Sequence, residues 1–306
     1  TGHLLTQDHK FLWGIDFKGK GRLYSALRKL IPMEGERERT RRALREADLD
    51  LFHPTYYDDY FLPELGDCPL IVTVYDMVDE LFPEYSINSK IVERKARIVK
   101  KAQRIIAISE STKADLVRIA GVDQEKIDVI PLATSMRQEK ATIKCLRKPQ
   151  KYVLYVGQRG GYKNFTRFLR AISPLLLADT SLYLMCIGGR IVHGGFTNRE
   201  NQLISQEGVS NQVSLTSAQD HELAEWYTGA LCLVFPSLYE GFGIPILEAF
   251  SCGCPVVVSN TSSLPEVAGN GAVYFSFSKR KKVNREERPQ KSGNHDPLPL
   301  PGVQLH

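Results

Sequence analysis

No run of apolar residues in this chain approaches the roughly 20 that a membrane-spanning helix needs, so no span is expected within it. Cysteine is sparse and scattered: Cys68, Cys145, Cys186, Cys232, Cys252 and Cys254. Several lie in apolar, strand-like runs. That argues against a disulfide framework and for the reduced, buried thiols of a cytosolic protein. Cys252-Gly253-Cys254 has no second Cys or His pair nearby, so the four ligands of a structural zinc site are missing and no metal is expected there. No secretory leader is visible, and because residue 1 is Thr1 rather than Met, the true start is expected upstream. A strong excess of either sign of charge is lacking too. The net charge of +5 suits an acidic ligand or an anionic membrane surface without requiring either, and no nucleic-acid partner is expected. Two sequons, Asn164-Phe165-Thr166 and Asn260-Thr261-Ser262, are chance matches in a cytosolic chain.

What the chain has is alternation. Its 306 residues suit one large or two ordinary domains. Leu51-Phe52-His53, Leu70 to Tyr75, Arg104 to Ile108 and Ile127 to Ile130 have the apolar character of buried strands. So do Tyr152 to Val156, Leu182 to Ile187, Val213 to Leu215, Leu231 to Phe235 and Pro255 to Ser259. Helical patterns lie between most of them, as at Ser109 to Ala120, Asn164 to Leu177 and Asp220 to Tyr227. Short apolar strands alternating with helices predict α/β architecture, with parallel sheets covered on both faces. The expected division is a domain over 1–134, a polar linker over 135–150, a second domain over 151–275 and a disordered or non-native tail over 276–306. The first domain is expected to be incomplete, since nothing before Leu51 supplies both an opening strand and a glycine-rich turn. The second is expected to be truncated, because the character changes abruptly after Phe275, with the basic run Lys279 to Lys282.

Two segments carry chemistry. In Tyr239 to Ala249, Glu240 and Glu248 bracket a glycine-rich turn between the apolar run Leu231 to Phe235 and a helix expected from Ile246 to Cys252. The free N–H groups and positive dipole end of such a helix make an anion site. Gly241 and Gly243 let the backbone approach a ligand without a Cβ. A carboxylate on either side suits a ligand carrying both phosphates and hydroxyls, as a nucleotide-sugar does. In Tyr152 to Phe165 a strand ends at Gly157, a loop holds Arg159 and Lys163, and a helix starts near Asn164, a good N-cap. Two cations at the carboxyl end of a parallel strand are placed for a diphosphate.

These motifs resemble the signatures of glycosyltransferase family 4, the retaining, mannosyltransferase-like group 1 glycosyltransferases. Further segments resemble the family in order: Val74 to Met77 and Glu80 to Pro83 its acceptor-side loop, Ile105 to Thr112 and Lys126 to Pro131 its inter-domain region, and Ser262 to Gly269 the segment after its donor site. The resemblance covers roughly Asp50 to Phe275. It implies a GT-B fold, two Rossmann-like doubly wound domains facing across a cleft. It implies that Arg159 and Lys163 bind the donor diphosphate and stabilise the leaving nucleotide, where charge develops. Glu248 then takes the ribose hydroxyls and Glu240 the donor sugar, with backbone N–H groups of Phe242, Gly243 and Ile244 completing the site. Acceptor-side candidates are His53, Tyr75 and Asp76. The family usually has His where this chain has Tyr75, which is bulkier and titrates near ~10.

The implied activity is transfer of a hexose, with a lean to mannose, from a GDP- or UDP-linked donor to a glycan or lipid-linked acceptor, in polysaccharide or glycoconjugate biosynthesis. No cofactor or metal is expected. Asp48-Leu49-Asp50 is a D-x-D, the metal signature of the other large glycosyltransferase fold, and is read instead as a polar lead-in to the next strand. Lys90, Arg94, Arg97, Lys101 and Arg104 recur at steps of four and three, which predicts one basic helix face able to rest on anionic lipid. The expected location is cytoplasmic, with peripheral contact to the inner face of the cell membrane. Two alternatives stay open. One is a fragment that binds nucleotide-sugar without turnover, since nothing after Phe275 looks able to form the helix that braces the first domain in this fold. The other is a nucleotide-sugar epimerase on the same fold.

Overall fold

The computed structural model describes residues 33–86, 90–136, 149–188 and 195–277. The expected tail from residue 278 onward, most of the expected linker and Cys145 lie outside the described residues. The chain divides into two compact units, Thr1–Pro131 and Leu132–His306.

The first unit opens with α1, Met33–Glu46. A 3-10 turn at Asp59–Glu64 leads to β1, Ile71–Val74, followed by α2, Val78–Leu81, and α3, Lys90–Lys101. Then come β2, Arg104–Ala107, α4, Glu110–Ala120, and β3, Ile127–Val129. The three strands are parallel in the order β1-β2-β3, with Ile71 opposite Arg104 and Ile105 opposite Ile127. The start of α4 is written in the sequence: the Ser109 hydroxyl accepts the N–H of Thr112, and Gly121 closes the helix in the left-handed region. Phe61, Leu65, Leu70, Val72, Val74, Ile98, Ile105 and Leu116 form the core.

The strand expected over Leu51 to His53 is not formed. Phe52 alone bridges Leu70, while Leu51 is 46% exposed and His53 is exposed. Pro54 has no N–H with which to carry a ladder further. The basic face is also shorter than its periodicity suggests. Helix α3 ends at Lys101, and Arg104 belongs to β2, where it pairs with Asp128 at 2.5 Å.

The second unit runs β4, Tyr152–Val156, α5, Phe165–Ala178, β5, Tyr183–Ile187, α6, Asn198–Gln206, and β6, Val213–Thr216. It continues through α7, Asp220–Gly229, β7, Cys232–Phe235, α8, Ile244–Ser251, β8, Val256–Ser259, α9, Leu264–Ala268, and β9, Ala272–Phe275. All six strands are parallel, in the order β6-β5-β4-β7-β8-β9. Alternation along β4 explains its unbroken apolar run. Tyr152, Leu154 and Val156 pack on one face with Tyr227, Ile246 and Leu264, and Val153 and Tyr155 on the other with Phe165, Leu169 and Leu203. Each such side chain contributes about 1.5–3 kcal/mol on burial.

This order positions the site. From β4 the chain winds outward through β5 and β6, then returns to lay β7 on the opposite side of β4. The winding direction reverses between β4 and β7, and in open parallel sheets the crevice at such a point, beyond the strands' carboxyl ends, is where ligands bind.

Candidate functional site

The loops leaving β4 and β7 are 77 residues apart in sequence at Lys163 and Glu240, yet they are bonded to each other. The Leu238 N–H donates to the Tyr162 carbonyl at 2.7 Å, and the Asn164 Nδ2 donates to the Pro236 carbonyl at 3.1 Å. Asn164 therefore does not cap α5 through its side chain, as its position suggests. It sits in the left-handed region, φ 59°, and spends its amide on the neighbouring loop. Gly157, at φ 122°, lets the backbone leave β4 in a direction other residues resist.

The centre of the site is an ion pair. Lys163 Nζ donates to both carboxylate oxygens of Glu240, at 2.7 and 2.8 Å, with 20% and 12% of the two side chains exposed. The buried Ser237 hydroxyl donates to the same carboxylate at 2.5 Å. Serines also hold the Glu240 backbone: its N–H donates to Ser262 Oγ at 2.9 Å, and Ser263 Oγ donates to the carbonyls of Glu240 and Phe242 at 2.9 Å each. Thr261, read with Asn260 and Ser262 as part of a chance sequon, donates to the Ser237 carbonyl at 3.2 Å. None of these serine contacts was legible in sequence. The signal was only a run of small hydroxyls after β8.

The turn then passes through buried Gly241, Phe242 and Gly243 into α8. Gly243 has φ 113°, and a Cβ there would meet Leu264 at 3.0 Å and Ile246 at 3.2 Å, so the position demands glycine. The N–H groups of Phe242, Gly243 and Ile244 lie at the helix start, where no intrahelical carbonyl can take them. They add the positive end of the dipole to the Lys163 charge.

Arg159 and Glu248 are placed differently from Lys163. The Arg159 side chain is only 8% exposed. Its Nε donates to Glu200 at 2.8 Å, an NH group donates to the Gly188 carbonyl at 3.0 Å, and its guanidinium lies 5.2 Å from the Phe196 ring centre. Glu200 also completes a capping box with Thr197 at the start of α6, so Arg159 ties the β4 loop to that helix. Glu248, in the second turn of α8, accepts the Tyr227 hydroxyl at 2.8 Å. Burial first, then the Glu248 charge, pushes the Tyr227 hydroxyl well above its ordinary range, so it remains a donor. Burial also holds the Cys254 thiol up at about 11, and Cys68, Cys186, Cys232 and Cys254 are unpaired thiols alongside Cys252.

In the first unit the acceptor-side candidates gather at the carboxyl end of β1. His53 Nε2 is 2.9 Å from the hydroxyl of Thr73, Tyr75 directly follows the strand and is 37% exposed, and Asp76 accepts the Val78 N–H at 3.0 Å. Sequence reasoning missed what holds them. The Tyr75 N–H donates to the Tyr57 hydroxyl at 2.8 Å. Lys95, 1% exposed, donates to the Asp76 carbonyl at 3.0 Å and pairs with Glu80 at 2.9 Å. On the outer face of α3, Arg94 and Arg97 pair with Asp59, Arg97 at 2.6 Å, which reduces the charge that face presents. Asp48 and Asp50 are exposed beside the end of α1, and among the described residues no group of three metal-capable side chains assembles.

Two family models match the chain in succession: Glycosyltransferase Family 4 over residues 9–135 and Glycosyl transferases group 1 over residues 136–284. The chain is 29% identical to the O-antigen chain mannosyltransferase B of Escherichia coli over 244 residues, 76% of this chain and 62% of that protein. It is 28% identical to the O-antigen chain mannosyltransferase RfbU of Salmonella typhimurium over 206 residues, 67% of this chain and 56% of that one. It thus spans less than two thirds of either relative. Among solved structures, Anabaena HepE in complex with UDP-glucose superposes with a TM-score of 0.63 at 18% identity, covering 79% of this chain and 67% of HepE.

Proposed function

The chain belongs to glycosyltransferase family 4, among the group 1 glycosyl transferases, with the GT-B fold, and on that basis we propose that it is a retaining hexosyltransferase using a nucleoside-diphosphate sugar. The observation that carries the reading is the Lys163–Glu240 pair beside the Gly243 turn, at the reversal point of the parallel sheet. A cation, a carboxylate and a helix N-terminus meet there, as a diphosphate and a sugar bearing hydroxyls require.

In this mechanism the donor separates the pair. Lys163 turns to the diphosphate, and Glu240 accepts sugar hydroxyls in place of the ammonium. Glu248, oriented by Tyr227, takes the ribose hydroxyls. Arg159 braces the loop that carries Lys163. The bond from the anomeric carbon to phosphate oxygen breaks, the acceptor oxygen bonds to that carbon on the same face, and the leaving phosphate takes the acceptor proton. The charge left on the diphosphate falls where Lys163 and the helix N-terminus already are. The mannosyltransferase names of the relatives favour mannose as the transferred sugar; on this reading GDP-mannose is the donor and a polysaccharide or lipid-linked glycan the acceptor. Contact with an anionic membrane, where such an acceptor resides, would fall to the exposed lysines 90, 100 and 101 of α3.

Lys163→Ala is expected to weaken GDP or UDP binding by about 1.5–3 kcal/mol, the range for hydrogen bonds to charged groups, because it also leaves Glu240 unopposed beside the diphosphate. Calorimetric titration with both nucleotides checks this, and unchanged affinity for both would remove the assignment.

A further inference from the structure

Ser262 is one of two non-glycine residues in the left-handed region among the described residues, at φ 47°. A residue with a Cβ is strained there, and such strain persists only where surrounding contacts enforce it. The other, Asn164, belongs to a residue type that tolerates this region; serine has less reason to adopt it. The conformation brings the Ser262 hydroxyl to the N–H of Glu240 at 2.9 Å, across a gap of 22 residues. Its neighbours pin the same turn: Ser263 holds the Glu240 and Phe242 carbonyls, and Ser259, fully buried, donates to the Ser237 carbonyl at 2.5 Å.

We propose that Ser262 is a positioning residue for Glu240, its strained backbone held in place so that its hydroxyl fixes where the Glu240 carboxylate meets the donor sugar. The proposal rests on the reading of Glu240 as the sugar-facing carboxylate. With Ser262 and Ser263 fixing the backbone and Ser237 fixing the carboxylate, Glu240 has little freedom to follow Lys163 when the diphosphate draws that cation away. It stays behind as an oriented acceptor for sugar hydroxyls. Ser262 therefore governs recognition of the sugar and not of the nucleotide.

Glycine separates this from a purely structural role. Ser262→Gly relieves the strain and removes the acceptor together. The variant is expected to unfold at a urea midpoint equal to or above that of the native chain. Its affinity for bare GDP or UDP is expected to hold or rise. Its preference for nucleotide-sugar over the matching diphosphate should fall at least fivefold, read with whichever of GDP-mannose, UDP-glucose and UDP-N-acetylglucosamine the native chain binds most tightly. Ser262→Asn, which tolerates the left-handed region and carries an amide oxygen, should recover part of that preference. A Ser262→Gly chain that keeps the full preference, or loses diphosphate and nucleotide-sugar affinity equally, overturns the proposal. If Lys163→Ala also leaves diphosphate affinity unchanged, the donor-site reading falls with it; if Lys163→Ala weakens that affinity, the donor site stands and only the role of Ser262 is lost.

Discussion

At the scale of the residue, the site's two charges occupy each other. Read from sequence, Glu240 faces a sugar and Lys163 a diphosphate, and on that reading Glu240→Gln would leave affinity for a bare nucleoside diphosphate unchanged. The geometry changes the expectation, because Glu240 competes for the cation that the diphosphate needs. Both side chains are largely screened from water, so the competition is not negligible as it would be for an exposed pair. Glu240→Gln is therefore expected to tighten GDP or UDP binding by about three- to tenfold, roughly 1 kcal/mol, and to weaken discrimination in favour of the sugar. Titration calorimetry with the bare nucleotides decides it; unchanged or weaker binding would mean the pair imposes no barrier to the diphosphate. The candidate residues were legible singly, because glycines, cations and carboxylates at strand ends have a chemical meaning at any position. Their partners were not. Nothing local to Arg159 points to Glu200, or local to Glu240 to Ser262, since both contacts depend on which strands lie side by side.

At the scale of the element, apolar runs marked eight of the nine strands among the described residues to within a residue or so; the most continuous runs are those of β4, β5, β7 and β8, which are buried along nearly their whole length. The errors lie where tertiary bonds outweigh periodicity. Steps of three and four carried the basic face on to Arg104. The helix stops sooner because Gln103 exchanges bonds with Leu70, its N–H to that carbonyl and its side-chain oxygen to that N–H, which starts β2 against β1. The same helix carries a feature its pattern hides, a lysine on its apolar side. Lys95 reaches past the Tyr57 ring, 4.9 Å from its centre, to Glu80 and the Asp76 carbonyl, binding α3 to α2 and to the loop after β1. With 2% and 9% of the two side chains exposed, removing one partner leaves a buried charge unopposed. Lys95→Met is thus expected to cost roughly 3–5 kcal/mol in urea unfolding, and the double change with Glu80→Leu to recover most of it. If the double variant is no more stable than the single one, the lysine acts through packing rather than charge.

At the scale of the whole molecule, the two units have separate sheets and separate cores. The sheet of the first is built from β1, β2 and β3, and that of the second from β4 to β9. Every residue assigned to the donor lies in the second unit, and the acceptor-side candidates lie in the first. A ligand that binds only the folded form stabilises what it binds, by about 2.7 kcal/mol at a hundred times its dissociation constant. Calorimetric unfolding of the chain is therefore expected to show two transitions, of which saturating GDP or UDP raises one. Leu70→Ala should identify the other. Leu70 is fully buried in the core of the first unit, and deleting such a side chain costs about 2–5 kcal/mol. The variant should lower the transition that the nucleotide leaves unmoved, while nucleotide affinity stays native. A nucleotide that shifts both transitions equally, or a Leu70→Ala chain that loses nucleotide affinity, would show that the donor site is not the property of the second unit alone.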